Sequence, residues 1–205
     1  MSATPDTAAG AGASRRLPAR TDGRDPFPRA TLADYVRRTF GAAADPVLNP
    51  TDIAWVGSIL TAAELELWSA QSSYDRVHSA RVARRVERRL AGTAWAGDPR
   101  WPAAALLHDV GKPSGLRFAE RIAANVLRRA IGLSRARAWA REARGIRRRF
   151  GAYLAHGEIG AAMIRAAGGR EELAAWTELH QTHPGGAAPG VPAAVVAALL
   201  ASDRA

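Results

Sequence analysis

The sequence predicts an all-α protein, a single-domain helical bundle, on three observations. Apolar residues recur at spacings of three and four, hydroxyl and carboxylate side chains three residues apart mark helix starts, and no run of strand length alternates apolar with polar residues. Residues 1–29 stand outside this pattern. They are Ala, Gly, Pro, Thr, Ser and Arg with almost no large apolar side chains, too little to offset the entropy of ordering them, so a disordered tail is expected ahead of one helical domain over 30–205.

The elements follow in order. Thr31 with Asp34 and Thr61 with Glu64 have capping-box spacing and predict helices near 31–41 and 61–71. Ser72 or Ser73 caps a third, in which His78, Val82, Val86 and Leu90 share a face and Gly92 marks the end. His78 therefore points inward. Pro102 suits the first turn of a buried helix that is expected to run on to Gly111 and Pro113, which places His108 and Asp109 in its last turn. Two helices near 116–131 and 134–149 come next, then a break at Gly151 and a segment over 152–168 that carries His156. A helix over 171–182, closed by Pro184 and a glycine-rich loop, and an apolar helix over 192–203 complete the chain.

Composition narrows the chemistry. In 205 residues there is no cysteine, which excludes disulfide frameworks, thiolate nucleophiles and Cys-bound zinc, so any metal must be held by His and carboxylate. The longest apolar stretch, Val191–Ala201, is about half of the roughly 20 residues that a membrane span needs. Met1–Gly12 has no cationic cluster before an apolar run, so no secretory signal is expected and a cytoplasmic location is the default. Lys+Arg 29 against Asp+Glu 19 gives a net charge of +10, yet Lys112 is the only lysine. An ammonium at that position suggests a need that arginine does not meet.

The five histidines fall in DRVHSARVA (His78), LLHDVGK (His108, followed by Asp109), HGEIGA (His156) and HQTHP (His180 and His183), with Asp203 in ALLASD near the end. This set resembles the HD superfamily of metal-dependent phosphohydrolases over about residues 73–204, with the doublet in LLHDVGK as the specific part. The resemblance implies a helical bundle with the site at its centre. It implies one or two divalent transition-metal ions (Fe, Mn, Zn or Co), one held by His78, His108, Asp109 and Asp203. Asp109 would bridge to a second ion held by His156 and His180 or His183. Neutral imidazole and carboxylate suit such ions, and two of them about 3.5–4 Å apart would activate water and stabilise both oxygens of a phosphoester displacement. His183 precedes Pro184, which biases it away from helical dihedrals and places it just beyond the helix of His180; it is a ligand, or a group that supports a ligand or donates a proton. Lys112 stands where many HD phosphodiesterases carry a lysine facing the substrate phosphate; the alternative is a cation offsetting the helix dipole.

Gly157 and Gly160 are expected to let a neighbouring backbone approach the helix of His156, and Glu158 either hydrogen-bonds a ligand imidazole or is solvated. Arg128, Arg129, Arg135, Arg137, Arg141, Arg144, Arg147, Arg148 and Arg149 oppose a face of Leu133, Ala136, Ala140, Ala143, Ile146 and Phe150. That basic face is a solvated surface, a funnel for an anionic substrate, a nucleic-acid surface or a helix on an anionic membrane with Trp139 as anchor. The expected activity is hydrolysis of a phosphomonoester or phosphodiester of a small molecule, in particular a nucleotide. The alternatives are a di-iron oxygenase of the same fold and a non-catalytic module that binds nucleic acid or membrane through 128–149. HQTHPGGAAPG lacks the Gly-Tyr-Pro of the cyclic-dinucleotide hydrolases, and the motif spacing looks more like small bacterial HD hydrolases of nucleotides and dinucleoside polyphosphates.

Overall fold

The computed structural model describes residues 47–114, 116, 118–181 and 186–205. The expected tail over 1–29 and the helix near 31–41 lie outside these residues. Among the described residues there are nine helices and no strand. They are α1 Pro50–Ile59, α2 Ala62–Ser69, α3 Ser73–Leu90, α4 Arg100–Leu107, α5 Phe118–Glu142, α6 Gly145–Leu154, α7 His156–Ala166, α8 Glu171–Leu179 and α9 Ala193–Asp203. No helix among them is long and apolar enough to cross a membrane.

Side-chain caps start the first three helices. Asn49 accepts the Asp52 amide at 2.7 Å, Thr61 and Glu64 close the expected reciprocal box, and Ser72 accepts the Asp75 amide. α3 then carries Val82, Val86 and Leu90 into the main core. There they meet Val56 of α1, Trp101, Leu106 and Leu107 of α4, Ile164 of α7, Leu173 of α8 and Leu199 of α9. Burying each such side chain is worth about 1.5–3 kcal/mol, and α4, buried over Trp101–Leu107, is the axis of the bundle.

Three expectations about boundaries are corrected. α4 stops at Leu107 instead of running to Gly111, because the His108 ring turns back onto the Ala105 carbonyl at 2.7 Å. A continued helix would give that carbonyl to the Asp109 amide. Residues 108–112 instead form tight turns, with Val110 N to Leu107 O at 3.1 Å and Lys112 N to Asp109 O at 3.0 Å. The expected helix over 134–149 is divided: α5 kinks at Gly132, ends at Glu142, and α6 starts at Gly145, whose φ of 59° a non-glycine residue rarely adopts. Gly151 is no break. It lies inside α6, where a Cβ would meet the backbone of Ala140 and Ala136 at 2.5 and 2.7 Å, so the two helices of the hairpin touch main chain to main chain. The break at 143–144 also undoes the expected apolar face, for Ala136 is buried while Ile146 is 47% exposed. Leu116, Ala124, Ala136, Tyr153 and Leu154 form a second, smaller core for this hairpin.

One buried ion pair ties the start of α2 to the start of α8. The Glu64 carboxylate is fully buried and accepts from the Thr61 amide at 3.0 Å, Arg170 Nε at 2.9 Å and Arg170 Nη2 at 2.6 Å. Burial opposes its ionisation, but Arg170 and the Thr61 amide outweigh burial and hold its pKa below the usual value. A depressed folded pKa means stability that is present above about pH 4.5 and lost as pH falls through the folded value. Glu64→Ala should cost about 3 kcal/mol at pH 7, as for removal of one partner of a buried pair. The penalty should shrink in urea titrations below pH 4, where the wild type loses the same contribution.

Candidate metal centre

Five helices deliver the centre. His78 comes from the middle of α3, His108 and Asp109 from the end of α4, His156 from the start of α7, His180 from the end of α8 and Asp203 from the end of α9. Three of the imidazoles share one device. Nδ1 of His108, His156 and His180 lies 2.7, 2.6 and 2.7 Å from the carbonyls of Ala105, Tyr153 and Thr177, in each case three residues earlier. A carbonyl only accepts, so Nδ1 carries a proton and Nε2 is the nitrogen turned to the centre.

The inward atoms fall into two groups that could each hold a metal ion: His78, His108 and Asp203, and Asp109, His156 and His180. Nε2 of His78 is 3.2 Å from Asp203 Oδ1, and Nε2 of His108 is 3.5 Å from the same oxygen. Asp109 stands between the groups. Its Oδ2 is 3.1 Å from His108 Nε2, and its Oδ1 is 3.0 Å from His156 Nε2 and 3.9 Å from His180 Nε2. Nε2 of His156 is buried and, despite that 3.0 Å approach, has no aligned hydrogen-bond partner. A buried lone pair left over in this way, in a set of imidazole and carboxylate with no sulfur, fits Fe, Mn, Zn or Co.

The surroundings fix these positions. Asp203 lies near the chain end, yet Arg85 and Arg89 of α3 donate to the carbonyls of Ser202 and Ala201, both at 3.5 Å, and so hold the last turn of α9. The glycines bring α7 in. A Cβ on Gly111 would meet the His156 carbonyl at 2.1 Å and the Gly160 amide at 2.4 Å, while one on Gly157 would meet the Thr177 carbonyl at 2.8 Å. Gly157 and Gly160 thus do what the sequence suggested, and Gly111 adds a backbone contact to its place in the turn. Glu158 does not reach a ligand imidazole. It pairs with Arg137, whose Nε is 2.7 Å and 2.9 Å from its two oxygens.

Behind Asp109 lies a pair the sequence reading missed. Asp75, the residue that Ser72 caps, is buried and takes both Nη atoms of Arg121 at 3.0 Å. Lys112 Nζ sits between the two carboxylates, hydrogen-bonded to Asp109 Oδ2 and 3.8 Å from Asp75 Oδ1. The only signal for Asp75 was its place in a helix cap, which is the commonest use of such a residue. His183 lies outside the described residues.

Burial works against every charge here, and at His108, Asp109 and Asp203 it loses to the partners. It would lower the pKa of His108, but the carboxylates of Asp109 and Asp203 push it up to about 10. Asp109 is held well below the carboxylate range, against burial, by His108 and Lys112, as is Asp203 by His108 and His78. Burial and the neighbouring His108 and His156 push His180 down to about 3, which leaves its Nε2 free of a proton.

The sequence model of the family described as HD domain matches residues 77–202, which takes in His78, His108, Asp109, His156 and His180 and ends one residue before Asp203. The chain belongs to the HD domain family. Among curated proteins and solved structures, none matches it. An HD domain brings divalent-metal binding and a hydrolase-type site with it, and the His/Asp cluster stands where the family match lies.

Two outcomes are expected. His108→Ala with Asp109→Ala should abolish metal content, measured by atomic emission, while the helical circular dichroism stays. Gly111→Ala should lose metal with both ligands of the doublet intact, because a methyl group at 2.1 Å from a main-chain oxygen forces α7 and His156 away. A Gly111→Ala protein with full metal content would show that the helices slide apart without cost to the centre.

Proposed function

We propose that this HD domain is a metal-dependent phosphohydrolase that cleaves a phosphomonoester or phosphodiester of a small molecule, in particular a nucleotide. The observation that supports the reading is Asp109, whose two oxygens face two separate groups of ligands. In this assignment His78, His108, Asp109 and Asp203 would hold one ion, and His156 and His180 a second, with Asp109 shared between them. Ions held there would supply Lewis acidity toward water and toward the phosphoryl group. Hydrolysis needs an oxygen delivered to phosphorus, a broken P–O bond and a proton returned to the leaving oxygen. His183 is assigned as the proton donor.

Lys112 is assigned to the developing charge on the phosphoryl oxygens. The reading as an ordinary helix-end cation fits less well. Its Nζ is turned to the buried carboxylates of Asp109 and Asp75, and its side chain is 16% exposed. Burial opposes its charge, but Asp109 and Asp75, with Tyr153 nearby, raise its pKa above that of a free lysine, so the ammonium persists at any working pH.

The experiment is metal analysis of the purified protein together with a panel of phosphatase and phosphodiesterase substrates. Turnover without oxygen on a redox-inert ion would reject the di-iron oxygenase alternative. Lys112→Met should lower turnover by about 10²–10³, by analogy with lost charge-stabilising donors. It should also lower the melting temperature of the metal-free protein, because Asp109 loses its counterion. Lys112→Arg should rescue the stability better than the rate, since a planar fork is not a point charge. Wild-type hydrolysis by the Arg variant would leave Lys112 a structural cation.

A further inference from the structure

The outer face of α3 carries Arg81, Arg84, Arg85 and Arg88 at helical spacing of three, four and seven, and they line a groove of about 400 Å³ whose wall is Val77 and Leu48. Arg84 is spent within the fold. It contacts Asp52 at 3.4 Å and Glu87 at 3.3 Å and lies 3.5 Å over the Trp55 ring. The other three keep their charge. Arg81 and Arg88 are exposed and have no hydrogen bond or ion pair among the described residues, and Arg85 meets only the neutral carbonyl of Ser202. Like charges one turn apart on a helix repel. Arg88 is partly repaid by the helix dipole at the end of α3, but Arg81, in mid-helix, is not.

The groove shares α3 with the metal centre, and its Val77 adjoins His78 in the chain. Along α3 at about 1.5 Å per residue, Arg81 lies about 4.5 Å and Arg85 about 10.5 Å beyond His78. Arg85 also touches Ser202, the residue before Asp203. His78 and Asp203 are the open ligands, with side chains 31% and 36% exposed, whereas His108, Asp109, His156 and His180 are 6% or less. The two exposed ligands are thus His78, on the helix that carries the arginines, and Asp203, beside the Ser202 that Arg85 touches.

We propose that Arg81, Arg85 and Arg88 form an anion subsite that binds the phosphates of a substrate lying beyond the one at the metal centre. The ligand class is an oligophosphate chain, which guanidinium forks bind in pairs of hydrogen bonds. The subsite refines the phosphohydrolase reading and rests on it for the link to substrate, while the anion binding itself does not need the metal.

The test uses the full chain and inorganic tripolyphosphate, measured by calorimetry at low salt. Metal-free protein should bind it, and Arg81→Gln with Arg88→Gln should weaken binding by about tenfold or more, the scale of about 1.4 kcal/mol. Arg144→Gln with Arg148→Gln, which removes as much charge from α6, should leave it unchanged, as should His108→Ala with Asp109→Ala. In the Mn²⁺-loaded protein one tripolyphosphate per chain should displace orthophosphate. Wild-type binding by the α3 variant, or an equal loss in the α6 variant, would overturn the subsite. Independent binding of tripolyphosphate and orthophosphate would overturn its continuity with the centre. Loss of binding in the doublet variant alone would assign the anion to the metal ligands instead. Failure of the substrate panel with the α3 effect intact would reject the hydrolase reading and keep the subsite.

Discussion

The centre depends on one repeated interaction, an imidazole at a helix boundary turned back onto the carbonyl three residues before it. His108, His156 and His180 each make it at 2.6–2.7 Å. In a continued helix that carbonyl would serve the amide of the next residue, so the same bond that orients the ligand also favours ending the helix. It fixes the ring orientation as well, turning Nε2 toward the centre. Bringing helix ends together leaves backbone groups unpartnered, and here the ligand side chains partner some of them. Among the described histidines, His78 alone comes from mid-helix and has no such carbonyl. It is held by its contact with Asp203, which α3 in turn anchors through Arg85 and Arg89.

Charge in the buried region is balanced in a way that explains why one lysine persists in an arginine-rich chain. Asp75 already has both oxygens in the fork of Arg121. The remaining space lies between Asp75 and Asp109, within 3.8 Å of one and in hydrogen-bond contact with the other. A compact ammonium on a flexible stem fits between two carboxylates there, whereas a second planar guanidinium would have to compete with the first. The need is for a point charge, whatever further part Lys112 has toward a phosphate.

Much of this was legible in the sequence, because the signals were local. Thr61 and Glu64 name a helix start by themselves, and LLHDVGK puts a ligand doublet beside a turn. What failed depended on contacts between distant segments. The end of α4 at Leu107 follows from a side chain competing with its own backbone, which apolar periodicity does not register. Gly151 was read as a break because glycine commonly is one, yet it is required by the backbone of Ala140 and Ala136. Gly145, six residues earlier and with φ of 59°, is the actual boundary. Glu158 offered two readings of equal local merit, and only the position of Arg137, on another helix, decides between them.

The arginine-rich hairpin has a closer tie to the centre than its separate core suggests. Tyr153 belongs to that core, packed with Leu116, Ala124, Ala136 and Leu154, and its carbonyl is the one that orients His156. Leu116 follows closely on Lys112 and Pro113, and α6 ends at Leu154, two residues before His156, so the turn that holds the doublet and the segment that leads into His156 both adjoin the same small cluster. A change in how α5 and α6 pack would therefore reach the centre through two short covalent paths. Gly151, where the hairpin's helices touch main chain to main chain, removes the slack that would otherwise absorb such a change. The hairpin is thus part of the support for His156, and its exposed arginines ride on a frame whose inner side orients a ligand.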